Sequence, residues 1–294
     1  MHTRKIQLPA DFSWQACLKQ LDRNALEPLH RVSEGIWQKV LVLDEHPHLF
    51  YIGADEDTIE IATEDDLKDQ SWREVEQWVK TSLDLDRNLT EFYQMAESDP
   101  ILGPIVRQHR GLRLIRIPDL FETLIWCIIG QQINLAFAYQ LKSRLVRTFG
   151  GHHLLAGQTW YTFPKPEALS DLDPAELKIM QFSRRKVEYI QEIAQQFLSG
   201  DLSQQELEQL NDPLAIRERL VKVRGIGDWT ANYAMMRCLG LPNALPVGDA
   251  GLHQAIRKAL DLDRKPTPSE VRAAADPWKG WESYATYYLW QSLS

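Results

Sequence analysis

Leu220-Val221-Lys222-Val223-Arg224-Gly225-Ile226-Gly227-Asp228-Trp229-Thr230-Ala231-Asn232-Tyr233 reads as the end of one helix, a tight turn built on two glycines, and the start of a second helix. Upstream, Asn211-Asp212-Pro213 supplies an N-cap carboxylate and a proline at the first helical position. A helix therefore starts there, and it is expected to turn Leu214, Leu220, Val221 and Val223 inward. Gly225 is suited to the left-handed conformation that ends this helix. Asp228 is placed to cap the next one, whose end is marked by Gly240 and Pro242. Two glycines around one apolar residue leave the turn's N–H groups and the second helix's N-terminus facing outward, an arrangement suited to phosphate. An ordinary helical hairpin explains Gly-x-Gly alone, so the longer string carries the discrimination.

That string continues outward in both directions. Leu245-Pro246-Val247-Gly248-Asp249 follows, with Asp249 twenty-two residues after Gly227. Ile128-Ile129-Gly130-Gln131-Gln132-Ile133 precedes it, and Trp281-Glu282-Ser283-Tyr284-Ala285-Thr286-Tyr287-Tyr288-Leu289-Trp290 closes the chain. Together these motifs resemble the helix-hairpin-helix DNA glycosylase superfamily, and within it the 3-methyladenine DNA glycosylase II (AlkA-type) branch. The resemblance covers roughly residues 100 to 294, and its specificity lies in the combination.

Composition sets the bounds. A chain of 294 residues and 34.0 kDa suits one large or two ordinary domains. Hydrophobic content of 44% and charged content of 25% are those of a globular protein. No apolar run is long enough to span a bilayer, and Met1-His2-Thr3-Arg4-Lys5 is not followed by a signal-peptide core, so a cytoplasmic location and no membrane partner are expected. Cys17, Cys127 and Cys238 are odd in number, far apart and set among apolar residues, which reads as buried free thiols. The formal net charge of −8 argues against nucleic acid, but its distribution reverses the argument. Residues 51–100 hold four Lys and Arg against fifteen Asp and Glu, whereas residues 101–150 hold seven against two. Local field governs phosphate contacts, although solvated faces account for any single charge equally well.

The first part, 1–88, reads as an α+β domain. Trp37 to Leu43, Leu49 to Ile52 and Thr58 to Ala62 are β-branched or aromatic runs separated by turn residues, which suits a small antiparallel sheet. Trp14 to Leu21 and Arg73 to Leu83 look helical. From 89 to 294 helix signals dominate and an all-α domain is expected. Asp119-Leu120-Phe121-Glu122, Asp173-Pro174-Ala175-Glu176, Ser203-Gln204-Gln205-Glu206 and Thr267-Pro268-Ser269-Glu270 have capping-box form. Phe121, Leu124, Ile125, Ile128 and Ile129 form one apolar stripe. His46, His48, His152 and His153 lack companion ligands at metal-like spacing and read as loop residues.

The resemblance assigns roles. Asp249 matches the catalytic carboxylate, although an Asp ahead of Ala250-Gly251-Leu252 is also a good N-cap. A departing base leaves positive charge on the sugar, and a fixed carboxylate stabilises it. Trp229 and Tyr233, four residues apart on one helix face, and Trp290 on the last helix match the aromatics that line the pocket for an extruded base. Electron-rich rings attract a cationic alkylated purine by stacking and cation–π contact, while packing in the core is the alternative for each. Relatives that also cut the strand carry a lysine where Trp229 stands, so a monofunctional hydrolase is implied. Gln132 or Ile133 matches the wedge inserted into the DNA stack. Lys222, Arg224, Gly225, Ile226 and Gly227 are placed to meet phosphates, as are Arg184-Arg185-Lys186. A sodium or potassium ion on hairpin carbonyls near Val223 and Ile226 is implied when DNA is bound. No other cofactor is expected, and the absence of Cys after Cys238 leaves no iron–sulfur cluster of the kind some relatives hold near the C-terminus.

The expected function is thus removal of alkylated purines such as 3-methyladenine from duplex DNA containing damaged bases, by a protein working as a monomer. A non-catalytic helix-hairpin-helix DNA-binding module is the competing class. A glycosylase of the same mechanism for uracil, hypoxanthine or an oxidised purine is the third reading. The acidic first domain carries no legible chemistry.

Overall fold

The computed structural model describes residues 1–173, 177 and 179–293. The capping sequence expected at Asp173-Pro174-Ala175-Glu176 lies outside the described residues.

Five strands form one antiparallel sheet in the order β1-β5-β4-β3-β2: β1 (His2–Gln7), β2 (His30–Ser33), β3 (Ile36–Leu43), β4 (His46–Ala54) and β5 (Thr58–Thr63). Three of them match the runs read from the sequence; β1 and β2 are additional. The β2–β3 and β3–β4 connections are two-residue turns with positive φ at both positions, Glu34-Gly35 and Asp44-Glu45, which fit the right-handed twist of the flanking strands. His46 and His48 therefore sit in β4 and not in a loop, and His48 Nδ1 lies 2.6 Å from Asp65 Oδ2.

Helix α1 (Trp14–Leu21) leads into this sheet, and α2 (Asp69–Ser82) covers one face of it. Trp72, Val75 and Val79 recur along one side of α2 and are buried. Trp72 meets Phe50 edge-on at 6.3 Å, and Trp78 meets Trp37 at 5.2 Å.

The rest is mainly helical: α3 (Thr90–Ser98), α4 (Leu102–Gln108), α5 (Leu120–Gly130), α6 (Leu135–Phe149), α7 (Pro166–Leu169), α8 (Arg184–Ser199), α9 (Gln204–Leu210), α10 (Pro213–Val221), α11 (Asp228–Arg237), α12 (Ala250–Ala259), α13 (Pro268–Ala275), a 3₁₀ turn (Asp276–Trp278) and α14 (Glu282–Gln291). It is not all-α. A hairpin of β6 (Gly151–Leu155) and β7 (Gln158–Thr162), closed by Ala156-Gly157 with positive φ at both, interrupts it. His152 and His153 belong to β6. The hairpin exists because the second face of the five-stranded sheet needs a cover: Trp160 is buried with Val40 and Leu49, and Arg31 stacks on its ring at 4.2 Å. Every residue of α5 from Leu120 to Ile129 except the half-buried Glu122 is buried, so the apolar surface is wider than the expected stripe.

One hydrophobic core runs through both halves. Buried polar contacts fasten them together. Fully buried Arg113 donates to Asp11 Oδ1 and to the Arg87 carbonyl, both at 2.6 Å, and Tyr284 donates to Asp84 Oδ2 at 2.7 Å. Lys142 of α6 donates to Glu27 at 3.0 Å and Glu122 at 3.2 Å. Burial raises the Glu27 carboxyl, but Lys142 and His30 outweigh it and hold it at about 2.

The sign of that shift sets a pH dependence. A folded-state value below the ordinary 4.5 means the contact stabilises above pH 4.5 and fades as pH falls towards 2. Glu27→Gln is expected to lower stability at neutral pH by about 3 kcal/mol and to flatten the loss across that acid window. Urea denaturation at a series of pH values measures both, and an unchanged acid slope would show that this pair is not coupled to folding.

Candidate functional site

The site is built on the turn read first in the sequence. Asp212 caps α10, accepting hydrogen bonds from the Leu214 and Ala215 N–H groups, with Pro213 at the first position. Ile216, Leu220 and Val223 are buried, whereas Leu214 and Val221 face solvent, so only part of the expected apolar face is used. Gly225 takes φ +92°, and a Cβ there would lie 2.5 Å from the Tyr189 ring. The N-cap of α11 is Gly227 and not Asp228, which instead pairs with Arg217. Gly227 offers no side-chain acceptor to the first-turn N–H groups. Its φ of −94° suits any residue, and a Cβ there would project into open space. Gly225 is thus demanded by the fold; Gly227 is not.

The α5–α6 turn stands beside this hairpin and is bonded to it. Gln131 Nε2 donates to the Gly225 carbonyl at 2.9 Å. Gln132 follows, exposed and at φ +59°, a left-handed conformation that costs a side-chain-bearing residue about 1 kcal/mol. Ile133 is half-buried against the core. Asn134 then caps α6 through the Phe137 N–H.

The basic residues divide. Lys222 and Arg185 are exposed and unpaired among the described residues. Arg224 donates to Glu188 at 2.8 Å and lies 5.6 Å from the Tyr189 ring; Arg184 also pairs with Glu188. Lys186 donates to the Ile129 carbonyl at 2.6 Å and so braces α8 against α5. Val223 and Ile226 are buried, and the Val223 carbonyl accepts the Ile226 N–H at 3.0 Å.

Asp249 arrives from a second direction. A tight turn, with the Asp249 N–H donating to the Pro246 carbonyl at 2.8 Å, puts it at the N-cap of α12. His253, one helical turn on, lies 2.7 Å from the Val247 carbonyl and 2.9 Å from that of Pro266, pinning the loop. The carboxylate receives three N–H groups. Oδ1 accepts from Leu252 N at 2.7 Å and from Trp290 Nε1 at 2.8 Å, and Oδ2 accepts from Trp229 Nε1 at 3.1 Å. Capping and the aromatic set, alternatives on sequence grounds, are both present. Oδ2 is the less engaged oxygen, and Asp249, Trp229 and Trp290 are all half-buried.

Tyr233 completes the cluster, 5.6 Å from Trp229 and 6.2 Å from Trp290, the latter ring inclined by only 31°. Its phenol oxygen accepts from Trp126 Nε1 at 3.1 Å and from Arg237 at 3.2 Å, and burial raises its pKa. Beyond Tyr233 a recess of about 120 Å³ is walled by Tyr233, Arg237, Tyr287 and Trp126, and by Gln20 and Arg23 at the end of the first helix. Asp249, Trp229 and Trp290 do not line it, so Tyr233 is the wall between this recess and the carboxylate. Sequence reading missed Trp126, Arg237 and Tyr287. The signal for Arg237 was its place four residues after Tyr233; Trp126 gave none within an apolar helix. Among the described residues no cluster of His, Cys, Asp and Glu could hold a metal.

Comparison with known proteins finds relatives along the whole chain. The family model of HhH-GPD superfamily base excision DNA repair proteins matches residues 125–280, and that of the 8-oxoguanine DNA glycosylase N-terminal domain matches 10–124. A DNA-3-methyladenine glycosylase of Bacillus subtilis is 40% identical over 292 residues, 98% of this chain and 96% of its own length. DNA-3-methyladenine glycosylase 2 of Escherichia coli is 29% identical over 64% of this chain and 63% of its own. Among solved structures, 3-methyladenine DNA-glycosylase from Archaeoglobus fulgidus superposes with a TM-score of 0.85 at 25% identity, covering 98% of this chain and 97% of that one.

The two glycines give a direct test of the hairpin. Gly225→Ala must fit both a positive φ and the Tyr189 ring, and a loss of about 2 kcal/mol or more is expected. Gly227→Ala should cost less than about 1 kcal/mol. Thermal denaturation of the two variants decides; equal losses would mean that Gly227 also serves the fold.

Proposed function

Because the chain belongs to the HhH-GPD superfamily of base excision DNA repair proteins, in its AlkA-type branch, we infer that it is a DNA glycosylase hydrolysing the N-glycosidic bond of alkylated purines such as 3-methyladenine in duplex DNA. The observation that carries this reading is the Asp249 carboxylate held between the Trp229 and Trp290 indoles. Capping α12 occupies only Oδ1 through the Leu252 N–H, so the placing of two indoles on the same carboxylate favours a catalytic group over a cap in a binding module.

The chemistry follows from charge. Departure of the base leaves an oxocarbenium-like sugar, and a preorganised anion lowers the energy of that state more than that of the neutral ground state. Oδ1 is occupied by two N–H groups and Oδ2 by one, so Oδ2 has the spare lone pair to face the anomeric carbon or to orient the attacking water. An alkylated purine is cationic before it leaves and needs little help from a general acid. The ring faces of Trp229, Tyr233 and Trp290 favour such a base by stacking and cation–π attraction. To reach them the nucleotide must leave the duplex stack.

The duplex sits on the hairpin side. Open space at Gly227 lets a phosphate approach the uncapped N-terminus of α11, and Lys222 and Arg185 supply unpaired charge nearby. We place the wedge at Gln132, since Ile133 is packed inward while Gln132 projects from a turn anchored to the hairpin. Carbonyls near Val223 and Ile226 are the proposed seat of a sodium or potassium ion in the DNA complex. We read the protein as a cytoplasmic monomer. Trp229 stands where a lyase needs an amine, so water is the nucleophile and no covalent sugar adduct forms.

Chromatography of bases released from methylated duplex DNA, with borohydride added in parallel, tests the chemistry. The wild-type chain should release alkylated purines without a trapped adduct. Asp249→Asn should release them at least about 100-fold more slowly while still binding an abasic-site analogue. Full turnover by that variant, or efficient trapping by the wild type, contradicts the assignment. Gln132→Ala tests the wedge: fluorescence of 2-aminopurine beside the lesion should show weaker extrusion, and an unaltered signal would return the role to Ile133.

A further inference from the structure

We propose that Gly251 is a positioning residue for the reaction: by lacking a side chain it lets the Trp290 indole reach the Asp249 carboxylate. This rests on the reading of Asp249 as the catalytic group and adds a residue to it. Gly251 is the second residue of α12, two after its N-cap Asp249. A Cβ at this position would lie 3.0 Å from Trp290 Cδ1, 3.1 Å from Trp290 Nε1 and 3.1 Å from Asp249 Oδ1. All three are inside normal van der Waals separation for carbon, and two of these atoms form the hydrogen bond that orients the carboxylate. The indole can yield only towards solvent, and the carboxylate oxygen is held. The indole is backed by Tyr233 at 6.2 Å and Tyr287 at 5.9 Å, and Oδ1 is tethered by the Leu252 N–H at 2.7 Å. A side chain at 251 therefore drives the half-buried indole outwards, lengthening the 2.8 Å bond from Trp290 Nε1. Local helix preference points the other way, because alanine is the better helix former at an ordinary position. Glycine here serves the carboxylate and not the helix.

The positioned bond matters because reaction at the sugar depends on where the carboxylate oxygens sit. With that donor displaced, Oδ1 keeps the Leu252 N–H and Oδ2 the longer bond from Trp229, so the group loses one of its three restraints and its orientation loosens.

A double-mutant cycle on the full-length chain tests this. Single-turnover release of 3-methyladenine from methylated duplex DNA is measured for the wild type, Gly251→Ala, Trp290→Phe and the double variant. Gly251→Ala alone is expected to slow the chemical step about tenfold, with binding to an abasic-site analogue unchanged. In the Trp290→Phe background the same substitution should have little further effect, because phenylalanine has no indole N–H whose bond to the carboxylate could be lengthened. An equal slowing in both backgrounds, or none in either, overturns the proposal. The Trp290 indole N–H resonance, assigned by its loss in Trp290→Phe, gives a readout independent of turnover. It should move upfield in Gly251→Ala as the hydrogen bond to the carboxylate lengthens, and an unmoved resonance also overturns the proposal. If the wild type releases no base, the catalytic reading fails by itself, and the resonance still decides whether Gly251 sets the indole.

Discussion

Three N–H groups converge on the Asp249 carboxylate, two from indoles and one from the backbone of α12, and the arrangement of the helical half follows from keeping them there. A half-buried carboxylate loses much of its hydration, and charge-assisted hydrogen bonds replace it. Those bonds come from separate elements. Trp229 belongs to α11, Trp290 to α14 and Leu252 to α12, so a displacement of any of these helices leaves the charge under-solvated. The anion thus ties the three helices together while keeping one oxygen less engaged.

The same helix that brings Trp229 to the carboxylate begins at the glycine turn. Its N-terminus faces outward at Gly227, its Trp229 meets Asp249, and its Tyr233 packs beside Trp229 and Trp290. The glycine turn and the aromatic cluster are therefore carried by one helix, with Gln131 fastening the neighbouring α5–α6 turn to the Gly225 carbonyl. Gln132, strained at positive φ on that anchored turn, fits the view that unfavourable backbone conformations persist where the surroundings over-determine them.

The first domain contributes to the surroundings of Tyr233 through α1 and the connection after it. Gln20 and Arg23 help enclose the recess behind Tyr233, and Arg23 donates to the Tyr139 hydroxyl at 3.1 Å. The buried contacts of Asp11 with Arg113 and of Glu27 with Lys142 hold that wall in place. The β6–β7 hairpin, though it lies within the helical half of the chain, covers the sheet's outer face and so fixes the two halves against each other.

Short-range signals determined what the sequence could decide alone. Side-chain caps act within three residues, so the starts of α5, α9, α10 and α13 at Asp119, Ser203, Asp212 and Thr267 were legible, as was the shared face of Trp229 and Tyr233. Asp249 and Trp290 could be given roles by resemblance only, because nothing local says that residues 20 and 41 positions apart touch. Positive-φ turns closed by Asp44-Glu45 and Ala156-Gly157 carry weak local preference, which is why the β6–β7 hairpin was not legible. Burial of Trp160 against Val40 pays for it, and that contact spans the chain. Tertiary packing alone chose Arg237, Trp126 and Tyr287 as neighbours of Tyr233, sent Arg224 to Glu188 and Lys186 to the Ile129 carbonyl, and turned Leu214 outwards. The reason is the same in each case: local backbone preference is fixed by adjacent residues, whereas the place of a charge or a ring is fixed by which distant surface removes it from water.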